Sequence, residues 1–407
     1  MIETELKETP HGTQPIPESQ EYRLSRMTLS SADESALSEW RAYAGRDSSD
    51  PMQDPEWLRG FFDGELQNLT ACFLYDSNSL RGIVPFLLRP WPMRLYLGEF
   101  PIGKLPLRRL RLVGTTLDIP ETESAYDVLF KELAELRSGF DVIFFEEVPV
   151  DAFLWKYLQT SSAIRKSFRK YIPSPPFPHY TLRFNGTFDG YMKKFSSRHR
   201  HNLRRRISKF YEEAPAEVKW VKYTKPEEVN VFLELAVAVS RKSYQWNLFQ
   251  RGLYAAELLR RRLQFAAANG WFRSYILFCG MAPVSFVVGF QHHGQFDHYE
   301  VGYDPEWKKY AVGTVLQLLM IEDLFNNNTP EVLDFGLDAD YKEEFSNDSS
   351  LRQNVFLFKR GPYTRFVQTS HQACELTTKT VSGLLEILNL KSKLKKALRW
   401  WRASQKK

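Results

Sequence analysis

At 407 residues, with 43% hydrophobic and 26% charged residues, the chain has globular proportions and exceeds what one ordinary core organises, so two domains are expected. Its net charge of +6 sits at one end: residues 371–407 hold nine Lys and Arg against Glu375 and Glu386, a balance of +7 that leaves the other 370 residues at −1. That distribution excludes an evenly basic nucleic-acid binder. Three widely spaced cysteines, Cys72, Cys279 and Cys374, exclude a disulfide framework and a cysteine zinc site.

Residues 1–20 are polar, carry three prolines and lack apolar periodicity, so they are expected to be disordered and neither a signal nor a transit peptide. No apolar run approaches the roughly 20 residues of a membrane span, and a cytoplasmic protein is expected. A helix is predicted at 33–44, capped by Ser31 or Asp33, and another after Asp54-Pro55-Glu56-Trp57. The turn signal Asp76-Ser77-Asn78-Ser79 joins Phe73-Leu74-Tyr75 to Gly82-Ile83-Val84-Pro85-Phe86 as a hairpin. Strands at 110–114 and 141–145 flank an amphipathic helix at 125–136. After the proline-rich stretch 173–178 the order repeats. Helices within 187–213, 226–241 and 253–269 precede a hairpin of Tyr275-Ile276-Leu277-Phe278 and Pro283-Val284-Ser285-Phe286. The expected fold class is α/β, a tandem duplication of domains with mixed, mostly antiparallel sheets flanked by helices. Its divisions are a disordered 1–20, a first domain 21–178, a second domain 179–368 and a basic tail 369–407.

The second copy ends in the most informative stretch. A strand at 296–303 stops at Asp304-Pro305, because proline cannot join a ladder. A loop follows, then Gly313-Thr314 opens a helix whose apolar residues, Val315 to Phe325, recur with helical spacing. Val332-Leu333-Asp334-Phe335-Gly336 reads as the next strand. A glycine-led turn at a helix start presents free N–H groups that suit a phosphate; Gly313 also reads simply as the residue that fits a tight turn.

Four segments together resemble a known family. Asp54-Pro55-Glu56-Trp57-Leu58 and Gly82-Ile83-Val84-Pro85-Phe86 come first, then the basic run Phe195-Ser196-Ser197-Arg198 through Asn202-Leu203-Arg204-Arg205. Gly302-Tyr303-Asp304-Pro305, Gly313-Thr314-Val315-Leu316, Asp334-Phe335-Gly336 and Asp340-Tyr341-Lys342 complete the order. The set is similar to the CelD-like (cellulose-biosynthesis-type) branch of the GNAT acyltransferases, itself related to FemAB-like aminoacyltransferases. The chain departs from the branch in one place: Tyr310-Ala311-Val312-Gly313 stands where Tyr-Ser-Pro-Gly is usual. The resemblance implies an N-acyltransferase, with acetyl-CoA or another acyl-CoA as co-substrate and an amino sugar or related glycan or small molecule as acceptor, in polysaccharide or envelope synthesis. Two alternatives stand beside it. One is a FemAB-like enzyme whose donor is aminoacyl-tRNA, the only nucleic acid either reading admits; the other is a non-catalytic scaffold at the membrane.

Acyl transfer needs a base for the acceptor's proton and donors for the developing oxyanion. On the 296–303 strand, alternation puts His298 and Glu300 on one face and Tyr299, Val301 and Tyr303 on the other. Glu300 is the first choice of base, with His298 and Asp334 as rivals; a salt bridge from Glu300 to Lys308 or Lys309 is the structural alternative. Tyr310, Val312, Gly313 and Thr314 are the donor-binding candidates. Arg198, Asn202, Arg205, Trp246, Tyr303, Asp340 and Lys342 are the substrate-binding ones, set against a solvated basic face, a core tryptophan and a loop ion pair. Adjacent His292 and His293 should point to opposite sides of a strand, so no metal is expected. In the tail, Leu384 to Trp401 segregates apolar from basic residues and ends in paired tryptophans, which suits peripheral contact with the membrane's inner face or a terminal helix packed on the protein.

Overall fold

A computed structural model describes residues 21–46, 50–98, 100–136, 139–242, 252–253, 257–337 and 340–387, with Asp340 and 382–387 described by backbone alone. Fifteen strands are described: β1 (Tyr22–Thr28), β2 (Leu69–Asp76), β3 (Ser79–Pro90), β4 (Met93–Leu97), β5 (Phe100–Leu105), β6 (Arg108–Leu112), β7 (Val142–Pro149), β8 (Phe168–Tyr171), β9 (Phe177–Arg183), β10 (Val218–Tyr223), β11 (Ser274–Cys279), β12 (Ala282–His292), β13 (Gln295–Tyr303), β14 (Val332–Leu337) and β15 (Asp348–Lys359). Thirteen form one sheet in the order β1-β2-β3-β6-β7-β15-β9-β14-β13-β12-β11-β10, with β8 pairing beside β15, while β4 and β5 make a separate ribbon.

Read inward from both edges, the order repeats. β1, β2, β3 and β6 pair antiparallel in turn, β6 runs parallel to β7, and β7 is antiparallel to β15. β10, β11, β12, β13, β14 and β9 reproduce every one of these relations. The fold is α/β and tandem, as expected, but its two sheets join into one through the antiparallel pair β15–β9. The sixth strand of each half falls out of sequence order. β9 precedes its half, and β15 follows the whole second half before returning to β7.

Local signals account for the helices that flank the sheet. Asp33 caps Glu34–Ala44 by accepting from the Ala36 N–H at 2.8 Å, and Asp54 caps Pro55–Phe61 through the N–H groups of Glu56 and Trp57. Each half packs helices on both faces of its sheet and so buries a cluster against each face. In the second half one cluster gathers around the helix Val312–Asn326, with Phe296, Leu316, Met320 and Leu333. The other gathers under Val229–Lys242 and Glu257–Ala268, and it includes Trp57 and Phe61 from the first half. The Pro-x-Trp segment is thus a wedge between halves: Trp57 stacks on Phe61 and meets Phe290 edge-on.

One feature of the sheet positions the site. β13 and β14 pair over only three residues each, 295–297 with 332–334, and then part. Past that point β13 runs on to Tyr303, which lies against Gly313 at the start of the Val312–Asn326 helix.

Candidate active site

The turn before that helix is built by Asp304, which is fully buried. Its Oδ1 accepts from the Glu306 N–H at 3.1 Å and starts a 3-10 turn over Pro305–Tyr310, where a loop was expected. Its Oδ2 takes an ion pair from Lys242 Nζ at 2.7 Å. The reversal falls on Ala311, with φ 52° and ψ 42°, and the helix begins at Val312. The residue in left-handed backbone is therefore Ala311, and Gly313 sits one step inside ordinary helix. An added Cβ at Gly313 would meet the Tyr303 ring at 3.4 Å, ordinary van der Waals contact, so neither backbone nor space demands glycine there.

The two halves differ at this point. The matching helix of the first half, Glu123–Glu135, is capped by Thr122 Oγ1 and carries Glu123 in its first turn. The Val312–Asn326 helix has no side-chain cap and no acid in its first turn. Its first N–H groups have no carbonyl one turn back within the helix, and the positive end of the helix dipole lies open.

That end opens on a cleft of about 640 Å³ lined by Ser240, Ser285, Glu300, Tyr303, Lys308, Gly313, Thr314, Gln317, Tyr341 and Phe345, among others. Gln317 is 4% exposed, and its amide nitrogen is buried without a protein partner. Its Oε1 lies 2.9 Å from His298 Nε2. A buried amide N–H2 left unpaired beside a cleft is costly unless a ligand oxygen takes it.

Strict alternation along β13 fails at Tyr299. The register shifts there, with Glu300 opposite Val288 and His298 opposite Gly289, so a bulge separates the two residues expected to share a face. His298 turns to the helix and Gln317; Tyr299 turns the other way, edge-on to Phe290. Burial lowers His298 to about 4, and nearby Lys342 pushes the same way, so it is neutral at pH 7. Burial raises Glu300 above its ordinary value while Lys342 opposes that rise. Neither Lys308 nor Lys309 pairs with Glu300 among the described residues. Its cationic neighbour is Lys342, in the short helix Asp340–Phe345 that replaces the expected loop.

The remaining candidates scatter. Tyr310 and Val312 are buried in the core, and the Tyr310 hydroxyl donates to the Glu213 carbonyl at 2.9 Å. Arg198, Asn202 and Arg205 form one exposed stripe on the helix Ser197–Glu213 and do not line the cleft. Trp246 and the side chain of Asp340 lie outside the described residues. Asp334 accepts from the Gly336 N–H and sits 2.8 Å from His179 Nε2, while His179 Nδ1 is 3.0 Å from Glu147. Burial alone would lower His179; the two carboxylates outweigh it and raise the imidazole to about 9. Burial, with Asp334 and Asp50 close by, pushes Asp297 up to about 7.

Sequence reasoning missed Gln317, His179 and Asp297. A glutamine inside the apolar run Val315-Leu316-Gln317-Leu318 was a usable signal; His179, in Phe177-Pro178-His179, had none.

Residues 197–343 match the family model of an acetyltransferase (GNAT) domain. Among solved structures the chain is similar to FemX, with 10% identity, 84% of this chain and 100% of that one covered, and a TM-score of 0.59. It is also similar to L-PGS from Bacillus licheniformis (11% identity, 84% and 96% covered, TM-score 0.46) and to a tandem GNAT protein from the clavulanic acid biosynthesis pathway (13%, 84% and 99%, 0.45). At such identities the likeness is one of fold. No curated protein sequence matches this chain.

Proposed function

We propose that the chain is an acyltransferase of the CelD-like branch that moves an acyl group from acetyl-CoA or another acyl-CoA to the amine of an amino sugar or related acceptor, in polysaccharide or envelope synthesis. One observation carries it: unlike its counterpart in the first half, the second helix start is uncapped and faces a cleft with an unpaired buried amide. Donor phosphates suit the N–H groups at Val312–Thr314, and the parting of β13 from β14 admits an extended thioester arm. Glu300, ionised, takes a proton from the attacking amine; the C–N bond forms, the C–S bond breaks, and the thiolate leaves. The Gln317 amide is placed to donate to an oxygen of the bound donor. No nucleophile signature calls for an acyl-enzyme.

A second reading has its own observation. Arg198, Arg205 and Arg206 are exposed and form no ion pair among the described residues, a surface suited to the phosphates of an aminoacyl-tRNA, the donor that the FemAB-like resemblance implies. Membrane contact through the basic tail stays a proposal too: the helix Pro362–Ile387 leads toward residues outside those described, and no described helix is long and apolar enough to cross a membrane.

The test is calorimetric titration with CoA and acetyl-CoA. Saturable binding that is lost in a folded Gly313→Trp variant, whose ring would fill the cleft, is the expected result. Absence of binding up to millimolar ligand overturns the acyl-CoA reading, and binding of charged tRNA would then favour the second.

A further inference from the structure

Away from the cleft, three potential metal ligands converge where the first half meets the second. Asp54 begins the helix Pro55–Phe61; His292 ends β12, and His293 follows it in the turn to β13. One ligating atom from each lies within 4.8 Å of the other two. Strand alternation would separate the two imidazoles. It fails because His293 leaves the strand with φ 42°, in left-handed backbone, which brings the ring centroids to 4.0 Å.

Neighbouring groups hold these side chains in place. Asp54 Oδ1 is held by the N–H groups of Glu56 and Trp57, at 2.8 and 2.9 Å, which leaves Oδ2 to face the histidines. That oxygen is 3.1 Å from His293 Nε2 and 3.9 Å from His292 Nε2. His292 is stacked on Trp57 and packed against Trp271, 4.1 Å between centroids, so its ring cannot swing away. Its Nε2 is buried and has no hydrogen-bond partner. A buried imidazole nitrogen packed in place without a protein partner, beside a carboxylate, suits a metal ligand.

We propose that Asp54, His292 and His293 bind one divalent transition-metal ion, zinc in first place, and that the ion ties the two halves of the chain together. Nitrogen and carboxylate ligands suit zinc, and bonds of about 2.0–2.1 Å at tetrahedral angles put ligand atoms about 3.4 Å apart. The observed 3.1 and 3.9 Å bracket that spacing. His293 is exposed, so the fourth position faces solvent and water completes it.

The experiment uses the full chain, stripped with a chelator and titrated with zinc by calorimetry, with cobalt as a spectroscopic substitute. One equivalent per chain, visible cobalt absorption of four-coordinate intensity and a higher Tm with zinc are expected. His293→Ala should weaken zinc at least 100-fold, and because that side chain is exposed the variant keeps the Trp57–His292–Trp271 stack. Asp54→Asn should weaken it similarly while keeping the helix cap. Failure to take up a stoichiometric ion, or uptake unchanged in His293→Ala and Asp54→Asn, overturns the proposal, and the contacts are then a plain Asp–His pair.

Discussion

Lys342 tempers the chemistry of Glu300, which lines the cleft. Burial raises the carboxyl and the ammonium holds that rise in check. A base must be ionised to act, so the transfer rate should climb with pH through a value above the ordinary glutamate one and level off beyond it. Glu300→Gln should cost roughly 10²–10⁴ in turnover and leave acyl-CoA binding by calorimetry as it was. A variant at full rate would move the role elsewhere. The sequence made Glu300 and His298 visible, yet pairing them on one face relied on unbroken alternation, and a one-residue bulge at Tyr299 undoes that. No local pattern announces a bulge, because its cause is the register against β12. Gln317 was legible as a polar break in an apolar run; His179 acquires meaning only from strands far away in the chain.

The Val312–Asn326 helix is specialised at both ends. At its start the missing cap leaves donors open; at its finish Asp323 is buried in a network that leaves nothing open. Asp323 accepts from Lys222, Arg273, Tyr275 and Asn327, and Arg273 donates in addition to the carbonyls of Asn327 and Asn328. Asp323→Ala would strand a buried guanidinium, so urea unfolding should show a loss of about 3–5 kcal/mol. A loss below about 1 kcal/mol would mean the network is not coupled to stability. At this scale the chain was readable: caps, turn signals and apolar periodicity located the hairpins and the flanking helices. The ribbon β4–β5, β15 and the helix Pro362–Ile387 were not found, and the sharp turn fell on Ala311 where glycine was the expected residue. An alanine in left-handed backbone is held there by what surrounds it, and a one-dimensional reading does not contain that.

Across the whole molecule the halves are joined by the β15–β9 pair, by the wedge of Trp57 and Phe61, and by His179 between Glu147 and Asp334. The wedge seats closely, since a Cβ on Gly60 would lie 2.1 Å from the Phe265 ring. His179 makes the junction sensitive to pH. Its folded value of about 9 is raised above the free value of 6.5, so its stabilisation is fully present below pH 6.5 and is lost as pH rises through 9. Relative to His179→Gln, the native chain should be more stable by on the order of 3 kcal/mol near pH 6, and the gap should close by pH 10. A gap independent of pH would refute the ion-pair account. The duplication itself was legible from repeated element order, whereas the exchange of sixth strands was not, because strand neighbours are set by tertiary pairing. That exchange bears on how the protein is made. A ribosome adding about 5–20 residues per second releases β7 tens of seconds, on that order, before β15 can cover it. Until then Val142, Ile143, Phe144 and Phe145 form a bare apolar edge, the kind that recruits other nascent chains. Synthesis therefore leaves that edge unpaired for the interval, and a chain that stops before Asp348 would lack the strand that covers β7.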